Sequence, residues 1–146
     1  MLTFMDAFSS YNQIKMDPAD EVHTSFITAF GTYCYKVMPF VLKNVGATFQ
    51  RMVTEVFKLQ IGRNMEVCMD DMIVKTKFAA DHLIDLRETF DRLRYYNMKL
   101  NPQKSVFRAV SGKFLGFLVS RRSVEANPEK IRALLDMQSP SSVKDV

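Results

Sequence analysis

Two neighbouring aspartates, Asp70 and Asp71, stand between the short apolar runs MEVCM and MIVK. Neither run can carry a pair of ionised carboxylates through a buried strand, because such a charge is costly to desolvate. The chain is therefore expected to reverse there, as a tight β-hairpin with the two acids at its tip. A third carboxylate, Asp6, ends the apolar run that opens the chain, LTFMDAF. These three aspartates stand at the ends of apolar strand sequence. If the first strand lies beside the hairpin, all three converge at one edge of a sheet, and hard oxygen donors gathered in this way suit Mg²⁺. Adjacent strand residues point to opposite faces, a rule the turn relaxes. A second reading stays open at this level: Asp70-Asp71 as a solvated turn and Asp6 as the cap of a following helix.

The rest of the chain fills in around these points. Pro18, followed by Ala-Asp-Glu, marks a helix start with acids in its first turn. TSFITAF and TYCYKVM, rich in Thr, aromatic and β-branched residues and separated by Gly31, predict a hairpin. From Gly46 the spacing becomes helical, with Phe49, Met52, Val53, Val56 and Phe57 on one stripe that ends before Gly62. Leu83, Leu86, Phe90, Leu93 and Tyr96 mark an amphipathic helix within residues 79–97. Asn101-Pro102 stops it. KFLGFLVS reads as one more strand, and PEKIRALLDM, opened by Pro128, as a last helix before SPSSVKDV. Strands interleaved with two main helices predict an α+β fold, a two-layer antiparallel sheet of the split βαβ kind.

Composition narrows the class. The 146 residues are 47% hydrophobic and 25% charged, which excludes disordered and fibrous chains. A domain of this size buries about 70% of its unfolded surface. The longest run without a charged residue, Val22 to Tyr35, is 14 residues long and is broken by His23, Ser25 and three threonines. A membrane helix needs about 20 apolar residues, so no membrane partner is expected. The segment MLTFMDAF has no basic stretch ahead of its apolar residues, unlike a signal peptide. Cys34 and Cys68 form no CxxC pair, leaving neither a disulfide framework nor a zinc site, and a reducing compartment, cytoplasm or nucleus, is the expectation. His23 and His82 have no ligand spacing around them and read as surface or helix-face residues. Charge is uneven. Residues 1–73 hold 6 basic and 8 acidic side chains, residues 74–146 hold 14 and 8. The split suits metal ions held in one part and a polyanion in the other, or simply two solvated faces.

Longer strings add a family resemblance. FMDAFSSYNQIKM, FITAFGTYCYKVMPF and LKNVGATFQR, followed by MDD, MKLNPQKS and KFLGFLVS, occur in one order over nearly the whole chain. In this the sequence closely resembles the reverse transcriptases of gypsy-type long-terminal-repeat retrotransposons, particularly those of plants. The resemblance implies the palm of an RNA-directed DNA polymerase over residues 1–138, with part of the fingers inserted, and the start of a connection toward a thumb over residues 139–146.

Carried over position by position, the resemblance assigns Asp6, Asp70 and Asp71 as the catalytic, metal-ligating aspartates. The implied cofactor is a pair of Mg²⁺ ions, with Mn²⁺ as a substitute, roughly 4 Å apart, stabilising the attacking and leaving oxygens of an in-line displacement. Tyr11 matches the aromatic beneath the incoming sugar. Gln50, with Arg51, begins the helix near the template and nascent base pair. Lys104 falls in the region proposed to protonate the pyrophosphate leaving group. Phe114, Leu115, Gly116 and Phe117 match the hairpin that grips the primer. Implied partners are an RNA or DNA template with primer, deoxynucleoside triphosphates, and the remaining fingers, thumb and ribonuclease H of a polyprotein. Contacts with duplex phosphates would weaken steeply with salt.

Departures from the family pattern point to impaired catalysis. Val41 stands where MPFGLKN has its glycine, and a β-branched side chain obstructs the nucleotide's approach. Cys68 replaces the tyrosine before Asp-Asp, Ser10 the glycine before Tyr11, and Val45 a small residue before Gly46. With few residues before Asp6 and no thumb, the 146-residue chain is expected to be inactive or nearly so. Two other readings are a domesticated retroelement remnant and a non-catalytic nucleic-acid-binding module. RNA recognition domains share the split βαβ sheet. In KFLGFLV, however, Phe114 takes the place of the glycine that should follow Lys113, and Leu115 is an extra residue.

Overall fold

The computed structural model describes residues 1–137; the expected connection over 139–146 lies outside the described residues. In chain order the elements are β1 (Leu2–Asp6), a 3₁₀ turn over Ser10–Gln13, the short helix α1 (Pro18–Glu21), β2 (Phe26–Thr28), β3 (Gly31–Tyr33), α2 (Val45–Val56), β4 (Met65–Cys68) and β5 (Asp71–Lys75). Then follow α3 (His82–Tyr95), β6 (Val106–Ala109), β7 (Ser111–Phe114), β8 (Phe117–Ser120), β9 (Val124–Ala126) and α4 (Pro128–Leu135).

The principal sheet has the order β4-β5-β1-β6, with antiparallel neighbours throughout. Taken as β1-α2-β4-β5-α3-β6, this is the split βαβ arrangement: β1 and β4 are parallel, and β5 is inserted between them. The two central strands are covered on both faces, which explains why LTFMD and MIVK read as continuous apolar runs rather than as alternation. Met5, Met72 and Val74 pack with Phe49 and Val53 of α2 and Leu86 and Leu93 of α3. Leu2, Phe4 and Ile73 face the other way, against Phe114 and Val119 of a second sheet, β7-β8-β9. Gly112 allows that approach, since a Cβ there would run into the Phe4 ring.

Two expectations need correction. KFLGFLVS is a hairpin, as the family resemblance implied and not the single strand its residue pattern suggested: β7 and β8 are joined at Leu115-Gly116, both with positive φ (51° and 80°). A leucine in the left-handed region is uncommon, so the sequence masks the turn. Second, α3 is rotated relative to the apolar pattern. Leu83 is 75% exposed, while His82, Leu86, Thr89 and Leu93 are buried. Two polar side chains take inward positions because each finds partners there. His82 Nε2 lies 2.8 Å from Thr3 Oγ1, and its Nδ1 lies 2.8 Å from Thr76 Oγ1. Thr89 Oγ1 accepts from Gln60 Nε2 at 3.0 Å. Of the two places expected for His82, surface or helix face, it takes the second, buried on the inner face of α3.

The stripe predicted for α2 is as expected, with Phe49, Val53, Val56 and Phe57 all at most 1% exposed. Both Pro-started helices are capped by the preceding residue: Ala19 N–H donates to Asp17 Oδ1 and Glu129 N–H to Asn127 Oδ1. The β2–β3 hairpin forms with its aromatic side chains largely in solvent. Among the described residues no helix is long and apolar enough to cross a membrane.

Candidate active site

Asp6 closes β1 and Asp71 opens β5, and the antiparallel register makes them direct Cα partners. Side chains paired in this way share a face with Cβ atoms about 5 Å apart. They lie at one end of the two central strands, not along a sheet edge. The turn is Met69-Asp70, since Cys68 pairs with Asp71. Only Asp70 is therefore at the tip, and Asp71 belongs to the strand. Met69 adopts φ 52°, and the Asp70 carbonyl accepts a hydrogen bond from Ala7 N–H at 3.3 Å.

This end of the sheet is electrostatically strained. Burial, then Asp6, then Asp70 push the Asp71 carboxyl above the usual range; the Leu115 backbone N–H and Lys104 pull it back in part. Asp70 Oδ1 is buried with no hydrogen-bond partner among the described residues, although a carboxylate oxygen out of water ordinarily has one. Lys104 Nζ lies 3.8 Å from Asp6 Oδ2. Asp6, Asp71, Lys104, Lys113 and Phe114 line one small cavity of about 80 Å³.

Other predicted residues surround this centre. Gln50 on α2 accepts the Met69 N–H through Oε1 at 2.6 Å, so it holds the turn that carries Asp70. Tyr11 is half-buried between the edges of Phe40 and Phe49, at centroid distances of 5.0 and 5.4 Å. Its hydroxyl is pushed up by burial and then by the charge of Asp70. Val41 is 83% exposed beside Phe40. Phe114, Leu115 and Phe117 line a larger cavity of about 700 Å³ between the two sheets that the three aspartates do not line. The positive φ of Gly116 is what the β7–β8 turn requires.

The donors present are hard carboxylate oxygens whose negative charge is incompletely offset, and that chemistry fits a divalent cation of the Mg²⁺ kind. Among the described residues no group of three or more His, Cys, Asp and Glu side chains is placed to hold a metal ion, so the geometry brings together a pair of carboxylates, Asp6 and Asp71, with Asp70 beside them. Sequence reasoning missed Ser105, whose Oγ receives the Asp6 N–H at 3.4 Å, and Gly112. A lone serine in a loop and a glycine in a strand carry no signal until the strand pairing is known.

The model of the family described as reverse transcriptase (RNA-dependent DNA polymerase) matches residues 1–119. The chain belongs to the reverse transcriptase family. Relatives of this reverse transcriptase chain include the retrovirus-related Pol polyproteins from the Drosophila melanogaster transposons opus and gypsy, 36% and 33% identical over 144 residues. In both alignments 99% of this chain is covered but only 14% of the polyprotein. The fold is that of a foamy viral protease-reverse transcriptase in complex with double-stranded DNA, at TM-score 0.89 and 20% identity, covering 99% of this chain and 25% of the other. A structure of the foamy viral enzyme with an RNA/DNA hybrid matches at TM-score 0.85, also at 20% identity, covering 99% of this chain and 19% of that one. The palm architecture expected from the sequence is therefore present, in a portion of a retrotransposon reverse transcriptase. Reverse transcriptases as a family use divalent metal ions and act on nucleic acid.

Proposed function

We propose that this chain carries the catalytic carboxylates of template-directed DNA synthesis, with Asp6, Asp70 and Asp71 holding two Mg²⁺ ions. The observation that supports it most is the Asp6–Asp71 register pair with Asp70 in the adjoining turn, a concentration of negative charge that folding would avoid unless a cation offset it. When bound, the ions would lower the pKa of the primer 3′-hydroxyl and neutralise charge on the triphosphate. The chain's own part is to hold and orient. Gln50 fixes the Met69-Asp70 turn, Tyr11 offers a ring edge beneath the incoming sugar, and residues Phe114 to Phe117 lie where the primer end would be gripped. Lys104 is the candidate proton donor to the leaving group. The basic surplus of residues 74–146 would meet template and primer phosphates.

The non-catalytic binding module accounts for the sheet but not for three carboxylates brought to one end of it. Mn²⁺ binding, followed by the electron paramagnetic resonance of free Mn²⁺, tests the reading. The intact chain should bind, and Asp6→Asn and Asp71→Asn should each weaken binding at least tenfold. No binding by the intact chain, or binding by both variants as tight as that of the intact chain, overturns it. In a primer-extension assay on an RNA template the 146-residue chain should give little product, because Val41 stands in the nucleotide's approach and the chain spans 14% of its relatives' length.

A further inference from the structure

The loop between α3 and β6 is fastened to Asp6 through the backbone. Asn101 N–H donates to the Asp6 carbonyl at 2.8 Å, and the Asp6 N–H donates to Ser105 Oγ at 3.4 Å. Ser105 in turn donates to the Asn101 carbonyl at 2.6 Å, and Asn101 Oδ1 accepts from Gln103 N–H at 3.1 Å. The loop is thus closed on itself and locked in register with one strand residue. Lys104 is carried between these anchors, and its ammonium lies 3.8 Å from the carboxylate of that same residue. Of the two ammonium groups lining the small cavity, Lys113 is held by Glu129 at 2.7 Å. Among the described residues Asp6 is the only carboxylate within 4 Å of the Lys104 ammonium, whose charge also reaches Asp71.

We propose that Lys104 is a built-in counter-ion of Asp6, delivered by the Asn101–Ser105 loop, that a divalent cation must displace in order to bind. The proposal rests on the carboxylate reading above and adds a competitor to it. The geometry favours exchange over permanent pairing. At 3.8 Å the contact is longer than a charge-assisted hydrogen bond, and the Lys104 side chain is 67% exposed, so it can swing into solvent at little cost. The penalty on the cation is then the loss of this exposed ion pair, which weakens its binding by a few-fold at most. Metal loading and the departure of Lys104 from Asp6 are then one linked event, and the lysine is freed when the cation arrives.

The test is Mn²⁺ titration of the intact chain, Lys104→Met, Lys104→Arg and Asp6→Asn, with thermal melts in chelator and in Mn²⁺. Lys104→Met should bind Mn²⁺ a few-fold more tightly than the unaltered chain, and Lys104→Arg about as well as it. In chelator Lys104→Met should melt lower than the unaltered chain, and in Mn²⁺ the difference should close or reverse. Equal or weaker Mn²⁺ binding by Lys104→Met, while Asp6→Asn still abolishes it, overturns the counter-ion alone. Absence of Mn²⁺ binding in every form overturns the carboxylate reading and the counter-ion with it.

Discussion

The side-chain carbonyl of Gln50 accepts the backbone N–H of Met69 at 2.6 Å, joining the first half of α2 to the turn that carries Asp70. Met69 sits at φ 52°, a conformation that costs a non-glycine residue about 1 kcal/mol or more. Removing the acceptor should release that turn. Gln50→Ala is expected to cost about 1 kcal/mol of stability and to raise amide exchange at Met69 and Asp70, while leaving exchange in β1 unchanged. Met69→Gly in the same background should recover most of the loss, because glycine adopts the left-handed conformation freely. Hydrogen exchange followed by mass spectrometry reads both effects.

The buried His82 makes stability dependent on mild acid. Thr76 Oγ1 donates to Asp85 Oδ2 at 2.8 Å, so it accepts from His82 Nδ1–H. Thr3 Oγ1 accepts the Arg108 N–H at 3.2 Å and donates to His82 Nε2. Both ring nitrogens are matched to a neutral imidazole. Burial and the amino terminus of Met1 hold its pKa below the ordinary value. The native state then binds fewer protons than the unfolded one, so stability rises with pH in this window and is lost as pH falls below about 6.5. Urea midpoints from pH 7.5 to 5.5 should fall with a slope of at most about 1.4 kcal/mol per pH unit from this group. His82→Gln should lower stability at pH 7.5 by about 1–3 kcal/mol and flatten the slope.

Gly112 and Phe4 set how closely the two sheets approach. A Cβ at position 112 meets the ring of Phe4, a buried side chain packed with Leu2 and Ile73. The ring cannot retreat without opening the contact between the principal sheet and β7-β8-β9. Gly112→Ala should therefore destabilise by about 1–3 kcal/mol, the usual range for overpacking. Gly112→Ala with Phe4→Leu should recover part of it, and a chemical-denaturation cycle on the four proteins measures the coupling.

The carboxylate pair opposes folding in the absence of a cation, and the sign of that effect can be tested. Asp71 is held protonated to a higher pH than in the unfolded chain by burial, Asp6 and Asp70. Stability from this group is therefore present at acid pH and is lost as pH rises through the range above the ordinary carboxylate value of about 3.9. In chelator at pH 7, Asp71→Asn should raise the Tm, and only modestly because the residue is largely solvated. The same substitution should remove the stabilisation that Mn²⁺ gives the unaltered chain. Differential scanning calorimetry with and without Mn²⁺ measures both changes.

How much was legible in the sequence depended on whether a residue's neighbours were local. The apolar runs around Asp70-Asp71 and the stripe of α2 are local patterns, and both elements formed as read. The pairing of β1 with β5, which the sequence left as one of two readings, is the one that formed. The rotation of α3 did not follow: a histidine and a threonine turn inward only because Thr3, Thr76 and Gln60 await them from distant segments. Residue preferences hid the Leu115-Gly116 turn, which only the family resemblance marked, because its leucine takes a left-handed conformation that such preferences assign to other residues. At the candidate site the carboxylates stood out by their apolar flanks. Their partners Ser105 and Asn101 did not, and Gln50 was marked only by the family resemblance, since each contributes through a contact that exists only after the strands pair.

Val41 tests whether the nucleotide approach is obstructed. Its side chain is 83% exposed next to Phe40, itself 64% exposed and packed on Tyr11. The backbone there is not in the left-handed region, since Val41 is not among the positive-φ residues. Glycine is therefore not needed for the turn, and its benefit in this family pattern would come from space alone. Val41→Gly should leave stability within about 0.5 kcal/mol, as expected for an exposed position. It should tighten binding of a fluorescent deoxynucleoside triphosphate several-fold in Mn²⁺, with no gain for Val41→Ile. Equal affinity in all three forms would show that this side chain lies outside the nucleotide's path and would assign any weakness of nucleotide binding to other parts of the molecule.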